Sequence, residues 1–269
     1  LTPATEVDYD PTVPEYHYDP SSYEARVYQG FGHGDYDALL KLGPNIKDWP
    51  EIAPLGGNLL LKVASYITDP VTTTDELIPS GETSSYRSNP MKLAQFTLSR
   101  RDPDYVPRAK AAAALESARA AGKVPAVLAD TLHALGLDTH SLSRLHIGSV
   151  IFANKPGDGS AREQAASCQR VLGGSANICY EFATKRYRSN VMNWGMVPFQ
   201  MEAEPNFEVG DYVFVPGIRA ALDDDLKDIA AYVVRADGAV EQIELYVADM
   251  TAEERAIVKA GCLINYNRK

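Results

Sequence analysis

The middle of this 269-residue chain reads Gly157-Asp158-Gly159-Ser160-Ala161-Arg162-Glu163-Gln164-Ala165-Ala166. Its two glycines allow the backbone to turn sharply, and the residues after them favour a helix that runs to about Val171. The N-terminus of such a helix presents unpaired N–H groups and the positive end of the helix dipole, and both favour an anion. Arg162 adds a guanidinium that suits a carboxylate. The alternative is a capping box, in which Ser160 and Glu163 satisfy the same N–H groups.

Periodic segments on both sides of this turn predict an α/β fold. Apolar runs predict five strands, at 59–64, 146–153, 209–215, 229–235 and 240–247. Strong helix formers and their start and stop signals predict further helices at 107–121, 125–135 and 251–261. The dipeptide Asp237-Gly238 joins the last two strands as a hairpin. Strands that alternate with helices and end in a hairpin imply a mixed sheet flanked by helices.

A second polar segment reads Thr73-Thr74-Asp75-Glu76-Leu77-Ile78-Pro79-Ser80-Gly81 and leads into Arg87-Ser88-Asn89. A loop could bring Asp75 and Arg87 together as an ion pair or within a shared pocket. The alternative is a solvated surface loop in which Asp75 serves as a turn or cap residue, since Asp, Ser, Pro and Gly favour turns for local reasons.

Composition and charge exclude several classes of protein. The net charge of −10 and the pI of about 5.0 disfavour nucleic acid as a partner, because duplex binding needs a basic face. No apolar run reaches the length of a membrane span, and no signal-peptide pattern is visible. Three widely spaced cysteines, Cys168, Cys179 and Cys262, lack a C-x-x-C pair. They indicate reduced thiols in a cytoplasmic protein and argue against a self-contained metal or iron–sulfur site on this chain.

The first 55 residues differ in composition from the rest of the chain. Prolines are interleaved there with Asp, Glu and Tyr, a mixture that favours extended chain over helix. We interpret residues 1–55 as an extended linker or strap. Because the chain begins with Leu1 rather than Met, we expect this segment to continue from a missing upstream region.

Five motifs occur in a fixed order, and together they resemble the aconitase family, which includes the isopropylmalate isomerases. They are the Asp75 segment, Arg87-Ser88-Asn89, Gly157 to Ala165, Leu172-Gly173-Gly174, and Arg188-Ser189-Asn190-Val191 followed by Gly195-Met196-Val197-Pro198. The resemblance covers roughly residues 56–269. It implies the C-terminal swivelling domain of that family, which closes over a cluster-bearing body. Residues 91–145 exceed the usual spacing between the motifs, so we interpret them as a helical insertion, either surface decoration or a carrier of specificity.

The resemblance implies a reaction and roles for four residues. The family reversibly dehydrates and rehydrates small di- or tricarboxylic hydroxy acids, with a [4Fe–4S] cluster held by upstream domains or by a large subunit. Arg87 and Arg162 are expected to hold substrate carboxylates. Asp75 is expected to hydrogen-bond within the site and orient its neighbours, and Ser160 to bind substrate from the helix start. The chain alone is expected to be inactive and to bind neither metal, nucleic acid nor membrane.

One departure from the family concerns the catalytic base. The family uses the second serine of G-S-S-R, where this chain has Ala161, and Gln164 replaces the usual histidine. A positioned general base supplies a rate factor of about 10² to 10⁴. Either Ser160 or another residue has taken this role, or the substrate needs a different base, or activity is lost. Two rival hypotheses are an inactive acid-binding or structural homologue and a free-standing small subunit of an isopropylmalate-isomerase-like enzyme.

Overall fold

A computed structural model describes residues 2–26, 30 and 32–268. The chain divides into two units, Leu1–Lys41 and Leu42–Lys269. The first unit contains a 3-10 helix at Ala4–Glu6 and helix α1 at Ser21–Arg26, and neither has a buried residue. The second unit contains the rest of the regular structure. It includes residues 42–55, so the predicted end of the linker at residue 55 stays a prediction.

A seven-stranded mixed sheet forms the centre of the second unit. The described strands of this unit are β1 (Asn58–Ile67), β2 (Thr72–Thr73), β3 (Leu145–Ala153), β4 (Pro156–Asp158), β5 (Gly174–Cys179), β6 (Val197–Gln200), β7 (Tyr212–Val215), β8 (Ile229–Val234) and β9 (Val240–Leu245). The seven-stranded sheet has the order β6-β5-β3-β1-β7-β8-β9, and β2 and β4 form a separate two-stranded sheet. The first four strands of this order run parallel, and β7, β8 and β9 add to them antiparallel.

Helices flank the sheet and confirm the predicted α/β class. They are α2 (Thr74–Leu77), α3 (Pro90–Leu93), α4 (Tyr105–Ala120), α5 (Ala126–Ala134), α6 (Arg162–Val171), α7 (Lys185–Asn193), α8 (Ile218–Ala221), α9 (Ala252–Ala260) and α10 (Leu263–Asn267). Short 3-10 helices occupy Ser84–Tyr86, Ala94–Phe96 and Thr139–Arg144. No described helix is both long enough and apolar enough to cross a membrane.

The core lies on both faces of the central strand β1. Leu59, Leu61 and Val63 belong to one hydrophobic cluster, whereas Leu60 and Ala64, which point to the opposite face, belong to two others. All five are fully buried. Burial of a leucine side chain stabilises a fold by about 1.5–3 kcal/mol, so this strand anchors the sheet from which the candidate site projects.

Helix α4 within the predicted insertion is part of the core rather than surface decoration. It packs against β1 and β3, with Tyr105 and Ala109 buried. The Arg108 guanidinium donates from Nε to the carbonyl of Ala64 at 2.7 Å and pairs with Asp102. The helix begins at Tyr105, so Pro107 occupies its third position instead of the predicted first. The third position also tolerates a missing N–H, because the first N–H groups of a helix have no acceptor within it.

Candidate functional site

A two-stranded parallel pair joins the two polar segments, which lie about 85 residues apart in the sequence. Strand β2 pairs with β4, with Thr72 opposite Pro156 and Thr73 opposite Asp158. Gly159, the next residue, sits against Thr74, and its φ of 121° is a backbone conformation that favours glycine. A Cβ at this position would overlap the Thr74 hydroxyl. The pairing therefore places the start of α2, with Asp75, beside the turn that leads to Ser160.

Helix α7 supports the same turn from the other side. A Cβ on Gly157, whose φ is 98°, would overlap the ring of Tyr187. Thr184 donates from its hydroxyl to the Gly157 carbonyl at 3.0 Å. The Tyr187 hydroxyl donates to Asn177 at 2.8 Å and accepts from Gln169 at 2.8 Å, and burial raises the pKa of this phenol. The floor of the turn is therefore a closed, buried hydrogen-bond network that fixes its position.

The start of α6 is free of the capping box that the Ser160–Glu163 spacing allows. Ala161 is the N-cap residue, and no side-chain hydrogen bond caps the helix. Glu163 instead accepts from Trp194 Nε1 at 3.1 Å. The first intrahelical bond runs from the Ala165 N–H to the Ala161 carbonyl. The N–H groups of the first turn thus have no protein acceptor among the described residues and remain available to an anion.

A shallow cavity of about 380 Å³ opens at this helix start. Its lining comes from the first turns of two helices: Ser160, Arg162 and Glu163 at α6, and Lys185, Arg186, Ser189 and Asn190 at α7. Three of these side chains are cationic and one is acidic. The cavity is thus locally positive on a chain whose net charge is −10, and it suits an anionic ligand.

Arg162 is the cation closest to the helix start. Its Nε is buried and lacks a hydrogen-bond partner within the described part of the chain, and its guanidinium forms no ion pair there. A buried, unsatisfied donor costs about 1–3 kcal/mol unless a ligand or water completes it. Arg162 therefore lines the cavity as an incomplete donor, as a carboxylate-binding residue would before its ligand arrives.

Asp75 pairs with an arginine that the sequence analysis did not single out. Its carboxylate accepts from Arg100 Nη1 at 2.8 Å and from the Ser80 N–H at 3.2 Å. Arg100 also binds Glu82. The ion pair between Asp75 and Arg87 suggested by their spacing is therefore not formed, because Arg100 occupies the carboxylate. Asp75 still lies in α2, which packs against α6.

Arg87 lies outside the cavity that contains Ser160 and Arg162. Its side chain is exposed, and Nη2 donates to the Ser80 carbonyl at 3.4 Å. Ser80 thus links Asp75 and Arg87 through one peptide segment. Of the four predicted residues, Ser160 and Arg162 line the cavity, whereas Asp75 and Arg87 do not line it and do not contact each other. The packing of α2 on α6 places Asp75 on an element next to the cavity.

Sequence reasoning missed Lys185 and Arg186 in this cavity. A signal was present, because Lys185-Arg186 lies just before the Arg188-Ser189-Asn190 motif, separated from it by Tyr187 alone. Cations in the first turn face the positive end of the helix dipole, which typically costs about 0.3–1 kcal/mol each. A cation at a position where the helix dipole disfavours it is a candidate for binding an anionic ligand.

No group of three or more His, Cys, Asp or Glu side chains suited to a metal occurs among the residues that the structure describes. Cys168, Cys179 and Cys262 are buried free thiols. Burial raises the pKa of Cys168 and Cys179, which disfavours the thiolate that metals bind. These three residues do not fit the ligand set of an iron–sulfur cluster.

The stretch of chain that forms this cavity is similar to known proteins. Residues 144–204, which include Ser160, Arg162 and the cations of α7, match the family model of the aconitase C-terminal domain. A stretch of 123 residues is 30% identical to aconitate hydratase A of Bradyrhizobium diazoefficiens, covering 44% of this chain and 13% of that protein. The crystal structure of a 3-isopropylmalate dehydratase from Methanocaldococcus jannaschii aligns over 77% of this chain and 92% of that chain, with 22% identity and a TM-score of 0.44.

Proposed function

We propose that this chain, whose residues 144–204 match the family model of the aconitase C-terminal domain, is the swivelling domain of a hydro-lyase. The reaction is the reversible dehydration and rehydration of a small di- or tricarboxylic hydroxy acid, in the cytoplasm. The remainder of the active site lies on upstream domains of the same protein or on a large subunit. In this proposal residues 1–55 form the connection, and residues 56–269 form the swivelling domain with its helical insertion at 91–145.

The uncapped start of α6 carries the proposal. Free N–H groups, the unsatisfied Nε of Arg162 and further cations from α7 meet in one cavity. A helix start stabilised only for folding would use the available Ser160 and Glu163 as a cap, and here Glu163 is bonded to Trp194. The arrangement suits a carboxylate that arrives with the substrate.

Each predicted residue has a task in this scheme. Arg162 holds one substrate carboxylate. Asp75 and Arg87, joined through Ser80, orient the loop that closes the site from the α2 side, where Arg87 holds a further carboxylate after the domains close. Ser160, ionised after loss of its own proton to solvent, takes the proton beside a carboxylate, because Ala161 has no proton acceptor. The positive end of α6 favours the negative charge that the Ser160 oxygen carries before it accepts this proton, and the charge then passes to the substrate.

The cofactor in this proposal is a [4Fe–4S] cluster held outside this chain, since the three buried cysteines do not fit one. When bound, such a cluster supplies a Lewis acid for the leaving hydroxyl. This chain contributes the binding of substrate, its orientation, the exclusion of water and the proton acceptor.

The test is turnover by the complete, cluster-loaded protein with Arg162→Gln. Loss of a charged carboxylate contact is expected to lower kcat/KM for a citrate-type acid by about 10- to 100-fold. Lys123→Gln removes an equal charge from an exposed turn outside the cavity and is expected to leave kcat/KM unchanged. Wild-type protein that turns over no hydroxy acid, although it is loaded with its cluster, would contradict the proposed activity.

Ala161 favours a second candidate, an inactive homologue that binds acids. The cavity and its cations do not require the missing hydroxyl, so binding is independent of Ala161. This candidate predicts that the complete protein binds a polycarboxylic acid and turns none over.

A further inference from the structure

We infer that Lys185 and Arg186 hold a second anionic group of the ligand, beside the carboxylate held by Arg162. The inference rests on the proposed function and refines it, because it names residues of the α6–α7 cavity that hold a second carboxylate of the proposed di- or tricarboxylic acid. It also gives a specificity role to residues on α7.

The charges of the cavity lining are not balanced by protein groups. Glu163 is the one carboxylate in the lining, and its oxygen already accepts from Trp194 Nε1 at 3.1 Å. Arg162, Lys185 and Arg186 form no ion pair with any residue in the described ranges 2–26, 30 and 32–268. One carboxylate ligand would leave two of these three cations without a partner.

The fold gives no reason for two cations at the start of α7. Thr184 caps the helix by accepting from the Tyr187 N–H at 3.1 Å, and the first turn contains no acidic residue. The helix packs through Tyr187, Val191 and Met192, which are buried, whereas Lys185 and Arg186 are exposed. Both cations stand at the positive end of the helix dipole, which disfavours them there. A ligand with negative charge removes this conflict.

The cavity has two separate positions at which an anionic group can bind. Arg162 and the free N–H groups belong to the start of α6, whereas Lys185 and Arg186 belong to the start of α7. Both helix starts line the same cavity of about 380 Å³, which lies within the usual size range of small-molecule sites. A monocarboxylate can occupy one position, and a di- or tricarboxylate can reach both.

The test compares three probes on the 269-residue chain by NMR titration at constant ionic strength: acetate, succinate and tricarballylate. Wild type is expected to bind succinate and tricarballylate more tightly than acetate. Arg186→Gln and Lys185→Gln are each expected to weaken binding of the two larger acids about fivefold, since each removes a charge-assisted but solvent-exposed contact. Their acetate affinity is expected to stay at the wild-type value, whereas Arg162→Gln weakens all three. Lys123→Gln is the matched control for charge.

Other results overturn the inference and separate it from the proposed function. Unchanged binding of succinate and tricarballylate by both α7 variants would show that these cations serve another purpose, such as contact with the cluster-bearing part. An equal loss for acetate would indicate a general field effect rather than a second position. If either result is found while Arg162→Gln still weakens the binding of all three acids, the second anionic position is refuted and the proposed function stands. If wild type binds none of the three acids, the binding role proposed for the whole cavity fails as well.

Discussion

Ala161 and Ser160 divide the roles at the start of α6. Ala161 is the N-cap residue and offers no side-chain acceptor, while Ser160 is exposed and does not cap the helix with its side chain. Because Ser160 is neither buried nor a cap of the helix, its hydroxyl is available for proton transfer. The proposal therefore assigns proton transfer to Ser160 and regards Ala161 as a position from which that role has moved.

This assignment predicts a separation of kcat from KM. Ser160→Ala in the complete, cluster-loaded protein is expected to lower kcat by about 100-fold or more with little change in KM, because a general base acts mainly in the transition state. Steady-state kinetics on a citrate-type acid measure both constants. A Ser160→Ala enzyme close to wild type, together with a rise in kcat on Ala161→Ser, would show instead that the natural chain lacks its base.

At the scale of elements, a buried polar cluster joins α4, β3 and α6. His146 on β3 lies with Nδ1 3.8 Å from Glu116 of α4, and its Nε2 is 3.1 Å from the Ser175 hydroxyl. Arg170 of α6 donates to the carbonyl of Ala53 at 3.1 Å and to that of Gly174 at 3.0 Å. Burial, and then the charge of Arg170, lowers the pKa of His146 to about 4. The cluster thus holds a neutral imidazole between secondary-structure elements.

The depressed pKa makes the stability of this junction sensitive to acid. The unfolded chain takes up the His146 proton near pH 6.5, and the folded chain takes it up only near pH 4. Stability from this group is therefore complete above pH 6.5 and is lost as the pH falls to 4, by roughly 3 kcal/mol at most. Urea unfolding at pH 7.5 and pH 4.5 is expected to show a smaller acid-induced loss in His146→Gln than in wild type. Equal losses in the two proteins would contradict this linkage.

Local signals allowed much of the element pattern to be predicted. The helix predicted at 251–261 forms as α9, where Thr251 and Glu254 make a capping box and Gly261 ends the helix with a φ of 94°. The same spacing at Ser160 and Glu163 did not form a box, because the distant Trp194 supplies a donor to Glu163. Sequence spacing cannot reveal such a tertiary competitor. For the same reason, the pairing of Asp75 with Arg100 was not foreseen.

At the scale of the whole molecule, topology brings the distant motifs together. The parallel pairing of β1, β3 and β5 places the ends of these strands at one edge of the sheet, where β2 and β4 pair. Binding sites of α/β sheets commonly lie at this edge. The resemblance to the aconitase family predicted that Asp75, Arg87, Ser160 and Arg162 share a site, but it gave that site no place in the sheet. It could not predict that Arg87 lies outside the α6–α7 cavity, since that depends on the path of the 80–88 loop.

The central claim is that substrate carboxylates bind at the uncapped start of α6. Hydrogen exchange of the complete, cluster-loaded protein, followed peptide by peptide with and without a citrate-type acid, tests it most directly. The claim predicts that the acid slows exchange in segments 158–165 and 184–190, because the free N–H groups of the first helical turns gain an acceptor or become shielded. Exchange in α5, which lies outside the cavity, is expected to stay unchanged. Saturation with substrate that leaves the exchange of segment 158–165 unaltered would contradict the account.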